Sequence, residues 1–155
     1  MATKARVGDI IEVETKLGLS YAQYTHKHPE FGELIRVIDS VFQARPSDPR
    51  ALSETETKFV TFFPLSAALR RGIFEIIGHA DVPRECQKFP LFREGVADPK
   101  TKTVGNNWWL WDGTKEWRVG KLTSEQWKLP ILGIWNDTLL IERIEAGWMP
   151  EGHEW

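Results

Sequence analysis

Residues 8–43 hold three runs of strand-type sequence separated by turn signals, and nothing else in the chain limits its fold as strongly. GDIIEVET (8–15) alternates, with Ile11 and Val13 on one face and Glu12 and Glu14 on the other. That is the period of a half-buried strand. Lys16-Leu17-Gly18 suits a turn. LSYAQYTH (19–26) follows as a second strand with Tyr21 and Tyr24 on opposite faces. His28-Pro29-Glu30-Phe31-Gly32 breaks it, because proline disfavours helix at the residue before it and glycine permits positive φ. ELIRVIDSVFQ (33–43) is the third run, rich in β-branched residues. Successive strands with short links predict an antiparallel meander.

Downstream the signals are mixed. Residues 44–56 are polar with two prolines and predict a surface loop. KFVTFF (58–63) resumes as a strand. Residues 64–72 predict a short helix, with Pro64 in the first turn, Arg70 and Arg71 at the negative end and Gly72 as cap. IFEIIGHA (73–80) is another strand. Residues 81–105, interrupted by Pro83, Pro90 and Pro99, predict an irregular segment pinned by Phe89, Leu91 and Phe92. NWWLWDGTKEWRV (107–119) predicts a hairpin with a type I′ turn at Asp112-Gly113 and Trp111 near Trp117 across the strands. Thr123-Ser124-Glu125-Gln126 is a capping box. Residues 137–146 predict a helix with Asp137 as cap and Leu140, Ile141, Ile144 and Trp148 along one stripe. The fold class expected is mostly β (α+β): an antiparallel meander or partly open barrel-like sheet with two or three short helices. One domain spans 1–155, with a core over 7–148 and an acidic tail at 149–155.

Length supports this reading, since 155 residues are one domain's worth of chain. The chain carries 20 basic and 22 acidic side chains, net −2, without the basic excess of a dedicated nucleic-acid binder. The charge is uneven. Residues 131–155 hold five acids, Asp137, Glu142, Glu145, Glu151 and Glu154, against Arg143 alone. Such an end suits a basic partner. The single cysteine, Cys86, fits a reducing cytosol. The first residues lack a signal peptide's apolar core, and no run approaches the ~20 apolar residues of a membrane helix. A cytoplasmic location and no membrane partner are expected.

No residue set demands chemistry. His26-Lys27-His28 has strand spacing, but a metal needs three or four ligands and a second shell. Arg84-Glu85-Cys86-Gln87 matches no nucleophile motif. Phosphate-loop, dinucleotide and Gly-x-Ser-x-Gly patterns are missing. His79 reads as a structural polar group. The acids Glu12, Glu14, Asp39 and Glu75 read as solvated faces. Arg36, Arg45, Arg50, Arg70 and Arg71 could form a phosphate-binding patch beside aromatics, with acids diluting its field. Neither an enzyme nor a cofactor is expected. All eight tryptophans, at 108, 109, 111, 117, 127, 135, 148 and 155, lie in the last third. Most are expected to build the core, with Trp155 exposed.

Several pieces together resemble the Immunity protein 26 family of bacterial polymorphic toxin systems. They are Val7-Gly8-Asp9-Ile10-Ile11-Glu12-Val13, Tyr21-Ala22-Gln23-Tyr24 and Leu34-Ile35-Arg36-Val37, with FFPL, RRGIFEIIG and FPLFR extending the similarity over most of 7–148. These are fold patterns, not catalytic signatures. The resemblance implies a cytosolic, mostly β protein that binds and neutralises a cognate protein toxin without catalysis. It carries over no binding residues. From charge and aromatic content, the partner-binding set expected is Glu142, Glu145, Trp148, Glu151, Glu154 and Trp155, with charge surrounding aromatic anchors. The alternative is a small β-barrel adaptor for peptide or nucleic acid, with Arg36, Arg70 and exposed tryptophan in a basic groove.

Overall fold

The computed structural model describes residues 4–155; the reading of the first three residues lies outside them. The chain divides into two compact units. The first runs up to Lys88 and takes back Ile134–Trp148; the second comprises Phe89–Gly133 and Met149–Trp155.

The three N-terminal runs form β1 (Asp9–Thr15), β2 (Gly18–His28) and β3 (Gly32–Phe42), and β4 (Thr57–Phe62) extends the meander. After the short helix α1 (Leu65–Arg70), β5 (Glu75–His79) returns to the outer side of β1. The five-stranded antiparallel sheet has the order β4-β3-β2-β1-β5, with β4 and β5 at its edges. It is therefore mostly β and open. β1 lies between two strands, and both its faces are covered. Ile11 pairs across β2 and β3 with Ala22, Val37 and Phe59 on one face. Ile10 packs with Tyr21, Ile38 and Leu52 on the other.

That second face corrects two expectations. Residues 44–56 are not merely a surface loop: Pro49–Glu54 coil into a 3₁₀ turn that buries Leu52 and Ser53. Glu12 is not on a solvated face but 8% exposed. It accepts a 2.8 Å hydrogen bond from the Tyr21 hydroxyl and two from the Arg45 guanidinium, at 2.8 and 2.9 Å.

Residues 81–105 are more ordered than expected. They contain α2 (Arg84–Gln87) and β6 (Phe92–Gly95), and β6 joins β7 (Trp108–Trp111) and β8 (Glu116–Gly120) in a three-stranded antiparallel sheet. The hairpin forms, but not through a type I′ turn. Gly113 has φ of 100°, whereas Asp112 does not adopt positive φ. Instead the Asp112 carboxylate accepts the amides of Thr114 and Lys115 at 2.9 and 2.8 Å. In this longer turn Trp111 pairs with Glu116 and Trp117 with Leu110, so the two indoles point to opposite faces. The capping box forms as expected, Thr123 and Gln126 bonding reciprocally, but it opens only a 3₁₀ turn, Gln126–Lys128. The last helix, α3 (Asp137–Glu145), is capped by Asn136 rather than Asp137, its side-chain oxygen accepting from the Leu139 amide at 2.8 Å. No helix among the described residues is long and apolar enough to cross a membrane.

Candidate functional site

The C-terminal end of α3 brings together half of the expected binding residues. The helix closes in a Schellman motif: Trp148 N–H bonds to Arg143 C=O at 3.0 Å and Gly147 N–H to Ile144 C=O at 3.1 Å, with Gly147 at φ 66°. The turn throws Trp148 back onto the sheet. Trp148 is therefore buried, not an exposed anchor. Its ring meets Phe59 at 5.3 Å and Trp135 at 5.1 Å, both edge-on. The Arg143 guanidinium lies 4.5 Å from each of the two indole centroids. Desolvation there lowers its pKa from the ordinary value. Glu145 is half-buried and engaged: it accepts the Lys16 backbone amide at 2.7 Å, and the Lys16 ammonium lies 3.9 Å away. Glu142 is exposed.

Beside this helix end lies a cleft of about 240 Å³. Val37, Phe59, Ile144 and Trp148 line it, together with Ser20 and the Lys58–Asp39 ion pair at 3.5 Å.

The remaining expected residues, Glu151, Glu154 and Trp155, belong to the second unit. All three are exposed, and Trp155 is 78% exposed, as expected for it. The segment is not loose at its root. Pro150 is buried, and its carbonyl accepts from the Arg93 guanidinium at 2.6 Å. No carboxylate pairs with Arg93 among the described residues. It is wholly buried, sits 5.0 Å from the Trp108 ring and 4.9 Å from the Trp127 ring, and also donates to the Trp127 carbonyl. Desolvation pushes its pKa down to about 10. Each unit thus sets one arginine against an edge-on tryptophan pair. Sequence reading missed both arginines. The available signal was Arg93 directly after the apolar run Phe89-Pro90-Leu91-Phe92.

Three of the five arginines considered for a phosphate patch are otherwise used. Arg36 is 1% exposed and donates to the Gln23 side chain, the Thr57 hydroxyl and the carbonyls of Ser53 and Thr55. It cannot line an open groove. Arg45 holds Glu12, and Arg50 pairs with Asp48 at 3.3 Å. Arg70 and Arg71 are exposed.

His79 is hydrogen-bonded, Nδ1 to the buried Asp9 carboxylate at 2.9 Å. It borders an open polar pocket of about 360 Å³ with His26, Asp81 and Gln87. The two imidazoles of His26-Lys27-His28 have separate environments. His26 Nε2 lies 2.7 Å from the Gln87 carbonyl, while His28 Nδ1 accepts the amides of Glu30 and Phe31. The described residues contain no group of three or more His, Cys, Asp or Glu placed to hold a metal ion. Cys86 is half-buried, its Sγ 3.8 Å from the Thr57 hydroxyl.

No protein-family model matches the chain, and comparison with curated proteins and with solved structures yields no match.

Proposed function

We propose that this is a binding protein of the immunity type, which neutralises a cognate bacterial toxin in the cytosol by covering its working surface and carries out no reaction itself. The observation that carries the reading is the exposed acidic segment Glu151–Trp155, fixed at its root by the Arg93–Pro150 bond. Glu151 and Glu154 are exposed and lie close in sequence to the exposed indole of Trp155. An acidic patch around an aromatic suits the basic surface of a toxin that acts on nucleic acid. Glu142 adds an exposed acid on the first unit. The strand patterns similar to the Immunity protein 26 family support the same class.

Occlusion requires a scaffold whose surface is ordered before encounter, since ordering on binding subtracts from affinity. The capped helix α3 and the anchored Pro150 meet that requirement. Long-range attraction between the acidic segment and a basic toxin would raise the association rate, and salt would weaken it. The test is charge reversal, Glu151→Lys with Glu154→Lys, against any toxin domain that genes neighbouring this one encode. Association should slow and lose most of its salt dependence; unchanged kinetics would remove this segment from the interface. The nucleic-acid adaptor reading needs Arg36 in an open groove, and Arg36 is buried. Salt-sensitive oligonucleotide binding is not expected.

A further inference from the structure

We propose that the open edge of β8 pairs with β8 of a second copy of this chain, antiparallel about a two-fold axis at Trp117, joining the two small sheets into one continuous sheet. The inference goes beyond the toxin-binding reading and does not depend on it.

The sheet β6-β7-β8 has β6 and β8 at its edges. The edge of β6 is covered: the Arg93 amide donates to the Pro130 carbonyl at 2.9 Å, and the Arg93 carbonyl accepts the Leu132 amide at 3.0 Å. Among the described residues no strand or bridge pairs with the outer side of β8. Glu116, Trp117 and Arg118 are exposed there, Trp117 at 40%.

The neighbouring strands fix which backbone groups point outward. Successive residues of an antiparallel ladder turn their N–H and C=O alternately to the two sides. Asp112 N–H donates to Lys115 C=O at 3.1 Å. Trp117, opposite Leu110, therefore bonds to β7, while Glu116 and Arg118 turn their backbone groups to the open side. The other flank gives the same parity. Val96 N–H bonds to Asn107 C=O at 3.0 Å, which turns the backbone of Leu110 toward β8. An incoming strand must bond to Glu116 and Arg118.

Sequence then selects the occupant and its register. Edge strands are commonly protected by charges that repel another chain. Here the order is Lys115-Glu116-Trp117-Arg118-Val119. Reversed against itself about Trp117, this strand sets each Glu116 opposite Arg118 of the second copy, at positions that exchange backbone bonds. Indole faces indole at the closer, non-bonded position. Sliding the copy by two residues in either direction sets Glu116 against Glu116 or Arg118 against Arg118, and like charges directly opposite are destabilising.

Both charges are placed for the pairing. Burial, and next the charge of Glu116, raise the Glu94 carboxyl above its ordinary value, so this face carries negative charge that a second copy's arginine would offset. The Arg118 guanidinium is held by its own unit, Nε donating to Asn107 Oδ1 at 3.0 Å and Nη2 to the Asn106 carbonyl at 3.2 Å. Nη1 is left to donate across the axis. A side chain ordered before encounter loses less on binding. The two-fold pairing uses both open edges, so assembly closes at a dimer. Five residues a side fall short of the roughly 20–30 of a standard interface. The dimer is therefore weak, with Kd on the order of 100 µM.

The experiment is sedimentation equilibrium of the full chain, from about tenfold below that Kd to about tenfold above it. A monomer–dimer equilibrium without larger species is expected. Glu116→Arg alone and Arg118→Glu alone each set like charges opposite one another twice, and each should weaken the dimer about tenfold or more. Mixed one to one, the two variants should pair about as tightly as the parent, because every arginine then faces a glutamate. Hydrogen exchange of the parent reads the same contact without any variant. The Glu116 and Arg118 amides should slow as concentration rises, and the Trp117 amide, already bonded to β7, should not. A monomer throughout the range would overturn self-pairing and leave the edge to a strand of another protein. A dimer that neither single variant weakens, or folded variants whose mixture associates no better than each alone, would also overturn it. Should a variant lose the parent's unfolding transition, exchange at Glu116 and Arg118 decides, and rates independent of concentration would overturn the proposal.

Discussion

Glu12 shows what one residue of sequence conceals. Its alternation with Ile11 and Val13 is that of an outward-facing acid. Yet β1 is flanked on both sides and covered by the Pro49–Glu54 turn, so the carboxylate is enclosed with Tyr21 and Arg45. The hydrogen bond from Arg45 holds the Glu12 carboxyl below the usual carboxylate range; burial opposes this and the Tyr21 hydroxyl reinforces it. A lowered folded pKa means that the unfolded chain binds the proton more readily. Its stabilisation is therefore complete above the unfolded carboxylate value and is lost as pH falls through the lowered one. Urea midpoints measured from neutral into acid pH should drop across that window, and Glu12→Gln should flatten the drop. Glu12→Val, which strands the Tyr21 hydroxyl, should cost about 1–3 kcal/mol at neutral pH. Arg36 was equally unreadable. Its position between Ile35 and Val37 gives no sign that the carbonyls of Ser53 and Thr55, far along the chain, converge on its guanidinium.

Elements were legible where local rules act alone. The strands β1–β3, the capping box at Thr123–Gln126 and the helix α3 form where they were read, but β1 is covered on both faces rather than half-buried, and Trp148 lies past the end of α3. The hairpin at 107–119 was legible in existence but not in turn type. The Asp112 side chain competes for the turn amides and stabilises a longer loop than Asp-Gly alone suggests. The same amide bonds, foremost from Lys115, lower the pKa of Asp112. β6 was missed because four residues between prolines carry too weak a periodic signal; it is held by its pairing with β7. At the cap of α3, Asn136→Ala should cost about 1 kcal/mol, read from the urea midpoint. Arg93→Met should loosen the C-terminal segment, because the Pro150 carbonyl loses the buried Arg93 donor and keeps the local His153 amide. Hydrogen exchange should then quicken for Glu151–Trp155. Exchange rates equal to those of the parent would show that the segment is held by other contacts.

For the whole molecule, sequence indicates a meander but not its closure order. β5 reaches the outer side of β1 after a long excursion through β2, β3, β4 and α1, and no local signal encodes so distant a partner. The return of residues 134–148 to the first unit is non-local in the same way. It places the Trp148 ring, expected at the surface, against Phe59. The exposed acids Glu142, Glu151 and Glu154 and the exposed Trp155 were legible in the sequence, while the cleft at the end of α3 arises only from packing α3 on the sheet. The function we propose, covering of a toxin, has a direct test. The direct measurement is growth of cells expressing any toxin domain that neighbouring genes encode, with and without this chain, paired with size-exclusion chromatography of the two proteins. Restored growth and a stable complex, both lost on Glu151→Lys with Glu154→Lys, are expected; growth arrest that this chain does not relieve, with the two proteins eluting apart, would overturn the proposed function.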